Sequence, residues 1–321
     1  MNKETFKYAR GSTAADSCLI SIGICTFRRP ELFETLTSIG NQIVPDGYTI
    51  EVIVADNDDV AELGPKIAIA AQDTGLNIRY RPAPARNIAI ARNACLDAAE
   101  GEALIFIDDD ETADPGWLEN MIRSWRRSGA SVIFGPSYAI YPEETPEWMI
   151  ENDVHSNIPL DRDGVVETGY SCNVLLDLRN ARVREARFDE AFGRTGGEDT
   201  DFFFRLHRHG VDMDITLDAK VREPVAEKRM SKDWVMRRRF STGQAYGHCV
   251  TSAGRNAPVV ERAALVLRSG AKSAYCTLRA GLTMYRESQY RFWMMRGIFH
   301  AGVARGACVP PQTHHYGGDE A

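Results

Sequence analysis

Two short, strongly apolar segments of the chain each end in a run of acidic residues. Residues 50–55 (I-E-V-I-V-A) precede D-N-D-D at 56–59, and residues 104–107 (L-I-F-I) precede D-D-D at 108–110. Such segments predict buried strands, and the sequence between them has helical spacing. Strands that alternate with helices of about ten or more residues predict a mainly parallel sheet. The acidic runs then lie at the carboxyl edge of that sheet, where open α/β folds bind ligands.

The same alternation extends through the first 130 residues. The predicted strands are 20–26, 50–55, 77–80 and 104–107, and the predicted helices are 31–42, 61–72, 87–99 and 115–128. Further on, shorter strands are predicted at 131–134, 169–177 and 214–217, with a proline-rich loop region at 141–163. The predicted class is therefore α/β, with a mainly parallel sheet flanked by helices and a basic helical extension at the C-terminal end.

The composition excludes several classes of protein. Of the 321 residues, 44% are hydrophobic and 26% are charged, which excludes a disordered chain, a collagen-like repeat and a disulfide-dense scaffold. The sequence has no uncharged apolar run of about eighteen residues and no secretory signal at its start, so no transmembrane helix is predicted. Seven dispersed cysteines without a C-x-x-C pair predict reduced thiols in an intracellular protein.

The charge is divided unevenly along the chain. Residues 228–305 contain fifteen Lys and Arg against three acidic residues, whereas the whole chain has a net charge of −7. A segment this basic can face nucleic acid, an anionic membrane or an anionic substrate, or it can be a solvated helical face. The strongly acidic remainder would repel a polyanion, which excludes nucleic acid as the expected partner.

Asp56 and the D-D-D run at 108–110 form the first candidate site. Adjacent carboxylates repel one another, so a positive partner is expected beside the run. A Mg²⁺ ion shared with a diphosphate fits, because Mg²⁺ takes one or two carboxylates plus phosphate oxygens. A solvated loop is the alternative for this run. Asp56 can accept a hydrogen bond from a nucleotide base or ribose hydroxyl, or it can belong to a turn.

The second candidate site is G-G-E-D-T-D at 196–201, at the predicted start of a helix. A carboxylate presented there can act as a general base toward a ligand. The alternative is structural, because acidic residues in the first turn of a helix stabilise it through capping and the helix dipole.

Five motifs that occur in order over about 180 residues connect these sites. They are I-S-I-G-I-C-T-F-R-R-P, V-I-V-A-D-N-D, A-R-N, F-I-D-D-D-E and G-G-E-D-T-D-F. Their order and spacing resemble family 2 glycosyltransferases, which are inverting enzymes of the GT-A fold, over roughly residues 19–245. The phrases N-I-A-I-A-R-N-A-C-L-D and T-G-Y-S-C-N are most similar to bacterial exopolysaccharide glucosyltransferases of the succinoglycan-assembly type.

The resemblance implies a role for each matching residue. It makes Asp199 the catalytic base and Glu198 an acceptor-binding residue. Asp110 would bind a divalent cation, Mg²⁺ or Mn²⁺. Relatives often carry a metal-binding His near V-x-E-P, where this chain has Arg222, so no third protein ligand is predicted. The residues expected to contact the nucleotide sugar are Thr26, Arg28, Asp56, Arg92 and Asp108.

The function implied is inverting, non-processive transfer of a sugar, expected to be glucose, from a UDP-sugar. The acceptor would be a saccharide on a polyprenyl diphosphate, and the product a β-linkage in an exopolysaccharide. The Q-x-x-R-W motif of processive synthases is absent, which favours single-sugar transfer. The alternatives are a sugar-nucleotide nucleotidyltransferase, which should have a glycine-rich phosphate loop after the first strand, and a non-catalytic nucleotide-sugar-binding assembly protein.

The expected organisation follows from the motifs and the charge. An N-terminal tail at 1–18 precedes a GT-A catalytic domain at 19–230, which has a nucleotide-sugar half at 19–130 and an acceptor half at 131–230. A basic amphipathic helical region at 231–305 precedes a polar tail at 306–321. Basic and large apolar side chains alternate through the helical region, which is typical of an interfacial helix. We therefore expect a cytoplasmic enzyme, peripheral on the anionic inner face of the cytoplasmic membrane.

Overall fold

A computed structural model describes residues 17–60 and 62–311. The predicted N-terminal tail at 1–18 and polar tail at 306–321 therefore lie largely outside the described residues. In chain order the strands are β1 (Cys18–Thr26), β2 (Tyr48–Asp56), β3 (Ile78–Pro82), β4 (Ala103–Ile107), β5 (Thr112–Ala113), β6 (Val132–Phe134), β7 (Ser137–Ile140), β8 (Asn173–Asp177), β9 (Met213–Ile215) and β10 (Val221–Pro224).

Helices connect most of these strands. They are α1 (Leu32–Gly40), α2 (Gly64–Thr74), α3 (Ile88–Ala98), α4 (Trp117–Ser128), α5 (Glu147–Glu151), α6 (Ala181–Glu185), α7 (Glu198–Arg208), α8 (Lys232–Ser252), α9 (Val259–Leu282) and α10 (Glu287–Gly306). Two single turns of 3₁₀ helix lie at Glu190–Phe192 and Glu227–Arg229. The strands and helices predicted before residue 130 are confirmed, with ends that differ by a few residues.

The central sheet has the strand order β3-β2-β1-β4-β8-β6-β9. Strands β1 to β4 pair in parallel, as does β6 with β9, whereas β8 runs antiparallel to both of its neighbours. The mainly parallel α/β sheet predicted from the sequence is confirmed. The predicted strand at 169–177 is shorter than expected, because pairing begins only at Asn173.

Each face of the sheet is covered by helices. The alternation along β1 sends Ile20, Ile22 and Ile24 to the face that α1 and α4 cover, where Trp117 and Trp125 are fully buried. The opposite face packs against α3 and α7, including three buried phenylalanines at 106, 202 and 203. Because both faces of the sheet are buried, the sequences of these strands are almost continuously apolar.

A second, three-stranded sheet has the order β5-β10-β7. Strand β10 runs antiparallel to β5 and parallel to β7. These three strands were not predicted. Its strand β5 follows the acidic run at 108–110 in sequence. Pairing of β10 with β5 brings the V-R-E-P segment of β10 alongside that run.

The basic C-terminal segment forms α8, α9 and α10, and α8 packs closely against α10. A Cβ added at Gly243 or Gly247 of α8 would collide with backbone oxygens of α10, and one at Gly302 or Gly306 would collide with those of α8. Glycines at the crossing thus let the two backbones meet. Among the described residues, no helix is both long and apolar enough to span a bilayer.

Candidate active site

The carboxyl ends of β1, β2 and β4 bring the first predicted residues together. Thr26, the last residue of β1, pairs in register with Asp56, the last residue of β2. Both residues are buried, and the Thr26 carbonyl accepts a hydrogen bond from the Asn57 amide at 2.8 Å. Strand β4 lies on the other side of β1 and leads into the run at 108–110. Parallel pairing therefore gathers three separate motifs at one edge.

Asp56 is held in place before any ligand binds. Its carboxylate accepts a hydrogen bond from the Tyr80 hydroxyl at 2.6 Å and one from the Asp58 amide at 3.1 Å. Burial and the neighbouring Asp56 carboxylate raise the pKa of Tyr80, so the phenol stays protonated and donates. The Asp56 carboxylate still has free lone pairs beside these two contacts, so it can accept a hydrogen bond from a further donor.

Arg28 lies in the loop after β1, in an unusual backbone conformation with φ of 56°. Its guanidinium forms a two-pronged ion pair with Asp58, at 2.7 and 2.9 Å, and stacks over the ring of Phe27. The loop after β1 is thereby tied to the loop after β2, beside Asp56.

The three aspartates at 108–110 occupy different environments. We call the space between these strand ends and the start of α7 the cleft. Asp108 lies there with 41% of its side chain exposed, whereas Asp109 is buried. Desolvation raises the pKa of Asp108 to about 6, with Arg92 opposing and Asp110 adding to this rise. Desolvation likewise raises the pKa of Asp109 to about 8. The outer two aspartates face the cleft, and the middle one belongs to the protein interior.

Asp110 is bound by two arginines. Its Oδ2 lies 3.0 Å from Arg29 Nη1 and 3.8 Å from Arg229 Nη2. Arg229 also donates to Glu223 of β10, whose pKa is raised by burial and by the nearby Asp110 carboxylate. Arg29, Arg229 and Glu223 were not predicted as site residues.

Arg92 of α3 links the two predicted sites. Asn87 caps the start of α3 by accepting from the amides of Ala89 and Ile90, which stabilises the first turn of the helix. Arg92 is buried, donates a hydrogen bond to Glu198 and lies 4.0 Å from Asp108. Burial acts to lower the pKa of Arg92, but the carboxylates of Glu198 and Asp108 outweigh it and raise the pKa. A buried, permanent positive charge therefore separates the two acidic groups.

Asp199 lies in the first turn of α7, beside Glu198. Desolvation raises the pKa of Asp199 to about 6, the neighbouring Glu198 charge adds to the rise, and Arg92 opposes it. The Asp199 carboxylate accepts from the Thr200 amide at 2.6 Å. Gly196 and Gly197 before it both have positive φ, at 79° and 94°, so this turn requires glycine. The helix start thus presents a carboxylate tuned near neutral pH.

Arg222 points away from this cluster. It forms a two-pronged ion pair with Asp114, at 2.6 and 2.9 Å, on the exposed side of β10. The next residue, Glu223, faces the acidic run instead, because successive side chains of a strand point to opposite sides. The alternation in V-R-E-P was the available signal for Glu223, but its strand was not recognised.

The oxygen ligands at the cleft suit a hard divalent cation. Asp108 and Asp110 supply carboxylates, and Mg²⁺ or Mn²⁺ commonly completes its shell with phosphate oxygens and water. Within residues 17–60 and 62–311, no group of three or more His, Cys, Asp or Glu side chains is arranged to hold a metal ion. The residues present therefore fit a metal that a bound diphosphate helps to hold.

Comparison with known proteins agrees with this geometry. Residues 21–179 match the family described as Glycosyl transferase family 2. The succinoglycan biosynthesis protein ExoM of Rhizobium meliloti (strain 1021) is 38% identical over 301 residues, which cover 94% of this chain and 96% of ExoM.

Solved structures show the same fold. The mannosyltransferase PcManGT of Pyrobaculum calidifontis, in complex with GDP-Man and Mn²⁺, is similar with a TM-score of 0.61 and 16% identity, over 90% of this chain and 87% of that one. S. aureus TarS in complex with UDP has a TM-score of 0.50 and 16% identity, over 86% and 90%. The GT-A fold predicted from the sequence is confirmed.

Proposed function

This chain belongs to glycosyltransferase family 2, and we propose that it is an inverting, non-processive enzyme that transfers one sugar from a UDP-sugar. The observation that carries this proposal is that carboxyl groups lie on both sides of Arg92. Asp108 lies on the side of the β-strand loops, and Glu198 with Asp199 lies on the side of α7. A donor on one side and an acceptor on the other would meet at this arginine.

We assign the donor to the edge formed by β1, β2 and β4. Asp56 accepts from the uracil N–H, because its carboxylate is already oriented by Tyr80. Thr26 and Arg28 line the nucleotide pocket, Asp108 contacts the ribose or sugar, and Arg92 lies against the sugar.

We assign the base to Asp199 and acceptor binding to Glu198. Asp199 removes the proton of an acceptor hydroxyl as that oxygen attacks the anomeric carbon. The bond to UDP breaks on the opposite face, so one displacement inverts the anomeric centre and an α-linked donor gives a β-linkage. A pKa raised to about 6 keeps the carboxylate ionised at neutral pH and makes it a stronger base than an ordinary aspartate.

We propose Mg²⁺ or Mn²⁺ as the cofactor, held by Asp110 together with the donor diphosphate. When bound, the cation would neutralise the charge that accumulates on the leaving UDP. The presence of Mn²⁺ beside GDP-Man in PcManGT supports a divalent cation in this fold.

We further propose that the enzyme acts in the assembly of an exopolysaccharide of the succinoglycan type. The 38% identity with ExoM over nearly the whole of both chains supports this pathway. From the resemblance of the sequence motifs we propose UDP-glucose as the donor and a saccharide linked to a polyprenyl diphosphate as the acceptor.

A lipid-linked acceptor requires the enzyme at a membrane, and we propose that α9 docks it on the anionic cytoplasmic face. Buried Leu265 and Cys276 pack α9 toward α10, whereas Leu267, Leu278 and Leu282 are exposed on the outside. The sequence has no Asp or Glu between residues 262 and 286. Four exposed basic residues accompany this apolar surface, namely Arg268, Lys272, Arg279 and Arg286.

Other residues of the basic region serve the fold. Arg262 donates to the carbonyls of Ala257 and Ala307, and Arg291 pairs with Glu287. The apolar residues of α10 at 292, 293 and 299 are partly covered by neighbouring rings and helices. The region is therefore partly a helical cap on the catalytic domain, and the proposed docking surface is the outer side of α9.

Flotation with liposomes tests the docking surface. We expect salt-sensitive binding to anionic vesicles, and an Arg268→Glu/Lys272→Glu variant should lose it. A Lys66→Glu/Arg182→Glu variant carries the same charge change on α2 and α6 and should still bind. Equal binding to neutral and anionic vesicles, or a dimer formed through α9, would overturn the proposal.

Release of UDP from a panel of UDP-sugars tests the activity itself. The assay uses a lipid-linked saccharide acceptor, with and without Mg²⁺ or Mn²⁺, and NMR of the product reports the anomeric configuration. We expect UDP-glucose to be preferred and the product to be β-linked. An α-linked product would refute inversion, and formation of a sugar nucleotide from UTP would identify a nucleotidyltransferase.

A further inference from the structure

The carboxylate of Asp110 is occupied by protein cations rather than open to solvent. Arg29 approaches its Oδ2 from the loop after β1, and Arg229 approaches the same oxygen from the 3₁₀ turn before α8. Arg29 forms no ion pair with any other carboxylate in the described part of the chain. The two arginines thus converge on one acidic oxygen from segments 200 residues apart.

Both arginines also keep part of their side chains exposed to solvent. The side chain of Arg29 is 30% exposed and that of Arg229 is 25% exposed, whereas Asp110 is 13% exposed. Arg229 is anchored on its other side by Glu223 and lies over the ring of Trp234. An arginine with one fixed contact and one exposed edge can change partners without leaving its place.

From these contacts we infer that Arg29 and Arg229 bind the donor diphosphate, and that they release Asp110 to the metal when they do so. This inference rests on the proposed function, since it concerns the same donor site. It assigns two residues to which the sequence resemblance gave no role, and it makes binding of the metal depend on binding of the nucleotide.

The electrostatics favour such an exchange. A guanidinium 3.0 Å from Asp110 Oδ2 would repel a divalent cation that approaches the same carboxylate. A diphosphate carries more negative charge than one carboxylate and matches the planar fork of arginine with two parallel hydrogen bonds. A bound diphosphate would attract both arginines away from Asp110 and would supply further oxygen ligands for a metal held by that carboxylate.

Mn²⁺ and UDP binding to the free protein test the exchange without any transfer reaction. Mn²⁺ is followed by EPR and UDP by calorimetry, each alone and in the presence of the other. In the wild-type chain, UDP should tighten Mn²⁺ binding by at least about tenfold. Arg29→Gln should bind Mn²⁺ more tightly than wild type without UDP and should bind UDP about tenfold or more weakly. Arg229→Gln should show the same two changes.

Arg222→Gln is the matched control, because Arg222 lies on β10 beside Glu223 but pairs with Asp114, and it should behave as wild type. If the neutral variants fail to fold, Arg29→Lys and Arg229→Lys can replace them, because lysine keeps the positive charge. These two variants should weaken UDP binding less than the neutral variants do. UDP affinities within twofold of wild type in both neutral variants would overturn the inference, as would unchanged Mn²⁺ binding without UDP. A wild-type chain that binds no UDP would instead refute the proposed function.

Discussion

Arg92 and Glu198 form a buried, hydrogen-bonded ion pair across 106 residues of sequence. The pair fixes the start of α7 against α3 and so sets the position of Asp199 relative to the donor edge. Truncation of one member would leave the other as an unpaired buried charge, which is more costly than loss of the contact itself. The pair therefore gives the site its geometry as well as its charge balance.

Replacement of Asp199 by Asn should abolish transfer and preserve donor binding. The amide keeps the shape of the side chain but cannot take a proton, so turnover should fall on the order of 10²-fold or more. Steady-state UDP release gives the turnover, and calorimetry with UDP gives the binding. If the variant retained a third of wild-type turnover, Asp199 would not be the base.

The pH profile of the wild-type enzyme should have an acidic limb near pH 6. The base must be ionised to act, so kcat/KM should fall as the pH drops through the Asp199 pKa of about 6. Glu198→Gln removes the negative charge that raises this pKa and should shift the limb to lower pH. Profiles of kcat/KM between pH 4.5 and 8 measure both positions.

Asp108 has a raised pKa of about 6 as well, so Asp108→Asn serves as the control for that assignment. The kcat/KM profile of Asp108→Asn should keep the acidic limb near pH 6 even though the variant binds the donor more weakly. Because the Glu198 charge raises the pKa of both groups, only Asp108→Asn separates them, and loss of the limb in that variant would transfer the titration from Asp199 to Asp108.

Asp110→Ala should weaken metal-dependent donor binding together with turnover, because Asp110 is the proposed protein ligand of the metal. Wild-type activity should also fall in excess EDTA and return with Mg²⁺ or Mn²⁺. Arg222→Ala, which removes a charged side chain outside the cluster, should leave both properties unchanged. Full wild-type activity in EDTA would show that cationic side chains alone neutralise the diphosphate.

The sequence predicted the parts of the fold whose pattern is local. Strands β1, β2 and β4 are apolar on both faces, and the helices between them have regular spacing, so a short window identifies each one. The second sheet has no such window. Strands β5, β7 and β10 are two to four residues long, and β10 pairs with β5 more than 100 residues away. Their existence depends on tertiary contacts.

In the candidate site, too, the residues in local motifs were predicted and those positioned by tertiary contacts were not. The motifs marked Asp56, Asp108 and Asp199, each of which ends a strand or begins a helix. They gave no role to Glu223, whose orientation follows from the register of β10, or to Arg29, whose neighbour Arg28 turns to Asp58 instead. Which of two adjacent residues faces a cleft is decided by backbone conformation, and the positive φ of Arg28 is not visible in the sequence.

Gly197→Ala should damage both stability and catalysis, because this glycine lies between α8 and the turn of α7 that carries the base. Its φ of 94° is unfavourable for any other residue, and an added Cβ would lie 2.7 Å from the Cβ of Ala245 in α8. Gly47→Ala separates the two effects, since Gly47 has a φ of 83° and no atom within 4 Å of an added Cβ. Backbone strain alone should cost Gly47→Ala about 1–2 kcal/mol and leave turnover unchanged. Gly197→Ala should have a lower Tm than Gly47→Ala and a reduced kcat, since α7 must shift and carry Asp199 with it. Calorimetry and UDP release measure the two quantities, and equal values for both variants would show that α8 does not support the base.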